Sequence, residues 1–284
     1  MPRAPSHPRF CPAHRDSVVV TALLVATYVT MLAGGCTKPA PPRAQKAPTK
    51  IRVAAATDLR SCLEALTNAF QVEHPNFDLL PTFGASGVLL TQLKSGLETD
   101  LYLSADVAYA HDLAAAGLAA EADVFESGQG RLVIWVRNES PIDVFTLGAE
   151  ALLDPSVRRV AIANPVHAPY GRAAVAALEH LGLHDRLKEK LAVGESAAQA
   201  AQYVESGAAE VGILPMALAK GTRLSERGRF WAVPAEAHPP IRHGGAIHAR
   251  AIDREATVAF RDFLLAPAGR AILARYGFEF PAVP

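Results

Sequence analysis

The sequence predicts an α/β fold in which mainly parallel sheets are covered by helices. Two observations predict it. Short apolar runs of strand length alternate with stretches whose apolar residues recur every three or four positions, the pattern of strand and helix in turn. Half of the 284 residues are hydrophobic, enough for a sizeable core in one large or two ordinary domains.

The first unit is the clearest. Ile51 to Ala56 is a short apolar run, and Leu59, Cys62, Leu63, Leu66 and Phe70 then fall on one helical face. Thr57 and Asp58, both favoured N-caps, mark the change of period. Phe77 to Leu80 reads as a strand, Gly84-Ala85-Ser86-Gly87 as a turn, and Val88 to Leu93 as a helix. Asp100 to Leu103 is a short strand before a helix over Val107 to Ala115, and Arg131 to Val136 is a continuous buried strand. Val160 to Ala163 and Glu210 to Leu214 are strands, and the helices Arg172 to Leu181 and Ala197 to Val204 are closed by Gly182 and Gly207. Phe230 to Val233 and Gly245 to His248 add extended chain, and Arg254 to Leu265 is the last long helix before Pro267.

Residues 1–35 read as an export signal: Arg3, Arg9 and Arg15, then the apolar Val18 to Leu32, then Ala33-Gly34-Gly35. Leu32-Ala33-Gly34-Gly35-Cys36 resembles a bacterial lipoprotein cleavage site with Cys36 as the lipidated residue, although Ala33 stands where such sites usually carry Leu. Ordinary secretion and an uncleaved anchor are the alternatives. Residues 36–49, polar and Pro-rich, suit a tether. All three alternatives put the folded part in the periplasm or on the outer face of the cell envelope. The chain is neutral overall, and slightly acidic without the leader's three Arg and Asp16, which gives no footprint for nucleic acid. Cys11, Cys36 and Cys62 neither make a disulfide framework nor share metal-ligand spacing; Cys62 reads as a core residue.

Four places set small or hydroxyl residues between a strand and a helix start: Thr57-Asp58, Gly84 to Gly87, Ala168 to Gly171, and Ser196-Ala197. Each would present backbone N–H groups and the positive end of a helix dipole with no basic side chain beside it, which suits a compact oxyanion.

The segments VAAATDL, FGASG, DLYLSAD, NPVHAPYGRAA, AAEVGIL and RYGFEF, in this order, resemble the molybdate-binding proteins of bacterial ABC importers, the ModA-type family of two-lobed periplasmic binding proteins. The resemblance implies a type II periplasmic-binding-protein fold, each lobe a mainly parallel sheet with flanking helices. It implies lobes of residues 50–130 plus 236–284 and 131–235, closing on an oxyanion by hinge motion. Carried over by position, it nominates Thr57, Asp58, Ser86 with Ala85, Tyr170 and Ala197 as ligand contacts. It further implies molybdate or tungstate as ligand, a membrane permease as partner, a monomer, no cofactor and no catalysis. The rival readings are the same module tuned to a phosphate-like anion or small organic acid, and an extracytoplasmic enzyme.

Asp58 departs from the family, which commonly shows Ser or Asn there. An ionised carboxylate 5 Å from a dianion is repelled by roughly 6–7 kcal/mol at an effective dielectric of about 20. Either its side chain turns back to cap its own helix, or it accepts a proton from an anion that still carries one; capping is the expectation taken here. Among ten histidines, His167, His238, His243 and His248 invite a metal or catalytic reading, but their spacing argues against one. His167 suits a rim position, and His243, among Pro and Gly, reads as part of a return crossing. Ser104-Ala105-Asp106 reads as a turn and helix cap.

Overall fold

The computed structural model describes residues 48–280; the leader 1–35, Cys36 and nearly all of the tether lie outside them. The chain runs β1 (Thr49–Ala56), α1 (Arg60–Glu73), β2 (Phe77–Gly84), α2 (Ser86–Lys94), β3 (Leu101–Ser104), α3 (Val107–Ala115) and β4 (Ala119–Gly130). It continues through β5 (Leu132–Arg137), the one-turn α4 (Val144–Leu147), β6 (Val160–Ala163), α5 (Pro169–His180), the one-turn α6 (His184–Leu187), β7 (Leu191–Gly194), α7 (Ala197–Glu205) and β8 (Val211–Pro215). The short α8 (Met216–Ala219) and α9 (Thr222–Ser225), then β9 (Gly228–Ala232), β10 (Ile241–His248), α10 (Arg254–Leu265) and α11 (Pro267–Arg275) complete it.

Two five-stranded sheets result, ordered β2-β1-β3-β10-β4 and β7-β6-β8-β5-β9. Both are mixed. The βα units give the parallel pairs β1 with β2 and β3, and β6 with β7 and β8. The strands flanking the passages between sheets, β4 with β10 and β5 with β9, pair antiparallel. The chain therefore leaves the first sheet after Gly130 and returns to it at Ile241, giving a two-lobed molecule with two crossings.

Apolar spacing on α1 buries Cys62, Leu63, Leu66 and Phe70 against this core, and the Cys62 thiol donates to the Leu59 carbonyl at 3.2 Å. Besides the one-turn α4, α6, α8 and α9, three elements lie beyond the sequence reading. Strand β4 (AAEADVFESGQG) is half exposed and carries no clean alternation. Strand β7 is only four residues long. Pro267, read as a stop, opens α11 from its first turn, where the missing N–H is no loss.

Candidate functional site

Four helix starts open onto one small cavity. Thr57 and Asp58 precede α1, Ala85 and Ser86 open α2, Pro169 and Tyr170 open α5, and Ala197 opens α7; Ala56, Gly84, Ala105 and Ala168 complete the wall. All six residues nominated from the sequence line it. The enclosed space is about 10 Å³, room for roughly one water-sized centre. The lobes are closed on it: Gly87 N donates to His167 O at 3.0 Å, Ala198 N to Thr57 Oγ1 at 3.4 Å, and Arg172 pairs with Asp106 at 2.6 Å.

The starts of these helices break a local rule. First-turn N–H groups have no intrahelical acceptor and are ordinarily capped by a Ser, Thr, Asp or Asn side chain. Here the N-cap positions are Ala56, before the 3-10 turn Thr57–Leu59 that runs into α1, Ala85 and Ala168, and none supplies a side-chain cap. Each omission forgoes about 0.5–2 kcal/mol, and at α2 the Gly87 N–H is taken by His167 O instead. Only α7 is capped, Ser196 Oγ accepting from Gln199 N at 3.3 Å.

The hydroxyls are oriented. Ser86 Oγ accepts from Ala105 N at 3.1 Å, so its single hydrogen stays available, and Tyr102 braces the turn by donating to Ser86 O at 2.8 Å. Thr57 Oγ1, accepting from Ala198 N, is likewise left as a donor. No Lys or Arg lines the cavity. Burial, and then the nearby Asp58, raises the Tyr170 hydroxyl well above its ordinary pKa, so it is a neutral donor.

Asp58 does not cap its helix, contrary to expectation. A 3-10 turn begins at Thr57, with Ala56 as N-cap, so Thr57 and Asp58 fall inside the turn rather than before it. The Asp58 carboxylate is 2 % exposed, its Oδ2 has no hydrogen-bond partner, and burial pushes its pKa up to about 7. Its neighbour is His243, whose Nε2 lies 3.4 Å from Asp58 Oδ2 and 3.0 Å from Tyr170 Oη. His243 lies on the strand by which the chain returns to the first sheet, as its Pro and Gly neighbours suggest, and stands behind the cavity lining against Asp58 and Tyr170. Alternation along β10 turns Arg242 outward and Ile241 and His243 inward. On β4, a bulge leaves Ser127 unpaired beside Gly128 (φ 130°), and Gly130 leaves room for the Tyr170 hydroxyl.

The other histidines sit apart. His167 contributes only its carbonyl, His238 Nδ1 lies against Pro239 O, and His248 Nδ1 accepts from Arg250 N. Among the described residues no group of three or more His, Cys, Asp and Glu could hold a metal ion. Asp106 caps α3 as expected, accepting from Ala108 N at 3.0 Å. A larger cleft of about 470 Å³ behind α1 presents charges of both signs, with Arg223 already paired to Glu205.

Two sheet-and-helix lobes, two crossings and a cavity walled by both are the architecture of a solute-binding protein. The chain belongs to the bacterial extracellular solute-binding protein family, whose model matches residues 51–279. It is 32% identical to the molybdate-binding protein ModA of Rhodobacter capsulatus over 196 residues, covering 69% of this chain and 75% of that protein. It is 30% identical over 229 residues to ModA of Azotobacter vinelandii, covering 81% and 89%. The solved structure of the Azotobacter vinelandii periplasmic molybdate-binding protein superposes with a TM-score of 0.75 at 28% identity, over 82% of this chain and 100% of that one.

Proposed function

We propose that this chain is the extracytoplasmic binding protein of an ABC importer, and that its cavity captures a tetrahedral dianion, molybdate or tungstate. One observation carries the reading: three alanine-capped helix starts and the hydroxyls of Thr57, Ser86 and Tyr170 converge on a space without a cationic side chain. Fixed N–H and O–H donors suit a compact, fully ionised anion and select it by size. In this reading Thr57, Ser86 and Tyr170 donate hydroxyls, while Asp58, Ala85 and Ala197 contribute backbone N–H groups. Each charge-assisted bond is worth about 1.5–3 kcal/mol, and about five to seven of them exceed the cost of association. The molybdate-binding relatives support the choice of ligand.

The first lobe is residues 50–130 with 236–284 and the second is 131–235, hinged at the two crossings. The protein works as a monomer, held to the membrane through a lipid on Cys36, and hands its anion to the permease without transforming it. Calorimetric titration against molybdate, tungstate, sulfate and phosphate tests this. One-to-one binding with molybdate and tungstate tightest is expected; no binding of any oxyanion would overturn it.

A further inference from the structure

Behind the cavity three side chains from distant parts of the chain meet: Asp58 before α1, Tyr170 on α5 and His243 on β10. They are 2 %, 2 % and 0 % exposed. His243 Nε2 stands between the other two, 3.4 Å from Asp58 Oδ2 and 3.0 Å from Tyr170 Oη. Two buried atoms of the group have no hydrogen-bond partner, Asp58 Oδ2 and His243 Nδ1. The Nε2–H tautomer fits this geometry best. It lets Nε2–H donate to Tyr170 Oη, with Asp58 Oδ2 nearby but unbonded, leaves the Tyr170 hydrogen free to donate into the cavity, and sets Nδ1 as an unpaired acceptor, with the ring edge-on to Phe278 at 4.8 Å.

None of these groups carries charge readily. Burial raises Asp58 to about 7 and lowers His243 to about 3, so near neutrality the pair holds a single exchangeable proton. The other titratable groups facing it are Tyr170 and Cys62, both raised first by burial, with Tyr276 beyond Cys62. Charged side chains on the surrounding elements are engaged elsewhere: Arg242 with Glu126, Arg131 with Glu279, and Arg172 with Asp106, while Arg60 lies over the Phe83 ring. Among the described residues no Lys or Arg lines the cavity, so none is in direct reach of an ionised Asp58 when a dianion arrives.

We propose that the Asp58–His243 pair takes up one proton from solvent with each tetrahedral dianion captured, so that Asp58 becomes an O–H donor to the anion and the site favours dianions that bring no proton of their own. This rests on the reading of the cavity as an oxyanion site. His243 is the positioning residue: its Nε2, 3.4 Å from Asp58 Oδ2, is the nearest donor to that oxygen and so favours the proton on the other one, toward the ligand. A hydrogen phosphate dianion gains less here, because its own O–H needs an acceptor where the neutral acid presents a second donor.

Calorimetry of the folded chain with molybdate, from pH 6 to 9 in two buffers of unlike ionisation enthalpy, tests the proposal. About one proton should be taken up per molybdate at pH 8, and affinity should fall about tenfold per pH unit above the break in the profile. Asp58→Asn should bind molybdate with no proton uptake and a flat profile over pH 7 to 9. His243→Phe, which removes the carboxylate's nearest donor, should move the break to higher pH, a shift that a merely structural role would not produce. Molybdate binding by the wild type without proton uptake overturns the proposal, and so does tighter binding of hydrogen phosphate than of molybdate. Should a variant fail to fold, the wild-type proton count decides alone. Absence of binding to every oxyanion at pH 6 would instead remove the underlying reading of the site.

Discussion

Gly130→Ala isolates lobe closure from lobe stability. Gly130 ends β4 at the first crossing, opposite Ile241. A Cβ there would lie 1.9 Å from Tyr170 Oη, 2.9 Å from its Cζ and 3.0 Å from His243 Nε2. The first approach is impossible, so the Tyr170 hydroxyl must retreat by more than an ångström, and its buried ring can do so only by pulling α5 back. Tyr170 belongs to the second lobe and Gly130 to the first, so this clash exists only when the lobes are shut. The closed form then loses the Tyr170 bond to the anion, about 1.5–3 kcal/mol, and incurs about 1–3 kcal/mol of overpacking. Affinity should fall by roughly two to four orders of magnitude at about 1.4 kcal/mol per decade. The ligand-free melting temperature should change little, since only the His243 approach acts within one lobe. Calorimetry with molybdate, paired with thermal melts with and without ligand, measures both. In a Tyr170→Phe background the same substitution should cost much less. Binding within about threefold of wild type would refute the reasoning, as would a loss of ligand-free stability matching the loss of affinity.

Arg172→Ala removes an inter-lobe ion pair with Asp106 and a hydrogen bond to Tyr109. Both charged partners are partly exposed, so the pair is worth about 0–1 kcal/mol; affinity should drop no more than about fivefold, and the difference should shrink in raised salt, as titrations at two ionic strengths would show. The pH dependence of stability has two opposing parts. Asp58, raised by burial to about 7, contributes stability that is present below its unfolded value of 3.8 and lost as pH rises through 7. His243, lowered by burial to about 3, contributes stability that is present above 6.5 and lost as pH falls toward 3. Asp58→Asn removes only the first, so in urea denaturation it should exceed the wild type at pH 8 by up to on the order of 4 kcal/mol, with the gap closing near pH 4. An equal difference at both pH values would contradict the assignment.

What the sequence made legible followed from local pattern. The face of α1 was readable because five apolar residues share one side of it, and the four loops that line the cavity because each sits where strand period gives way to helix period. Strand β4 was not, since its burial follows no two-residue period and a bulge interrupts its pairing with β10. His243 escaped for another reason: its role depends on a non-local meeting with Asp58 and Tyr170 that spacing along the chain does not encode. Its Gly and Pro neighbours suggested a connector, whereas the bare backbone of Gly130 is what admits the imidazole and the phenol side by side. One local signal went unread. Alanine at Ala56, Ala85 and Ala168 is a departure from ordinary capping at three of the cavity's four helix starts, although Ala266 opens α11 in the same way outside the cavity lining.

Those alanines make ruggedness and capture compete. Writing Ser or Asp at 56, 85 or 168 would tie down frayed amides and yield a hardier empty protein. The same edits would hand the guest's seat to the host's own side chains, and the toughened molecule would travel with its pocket already spoken for.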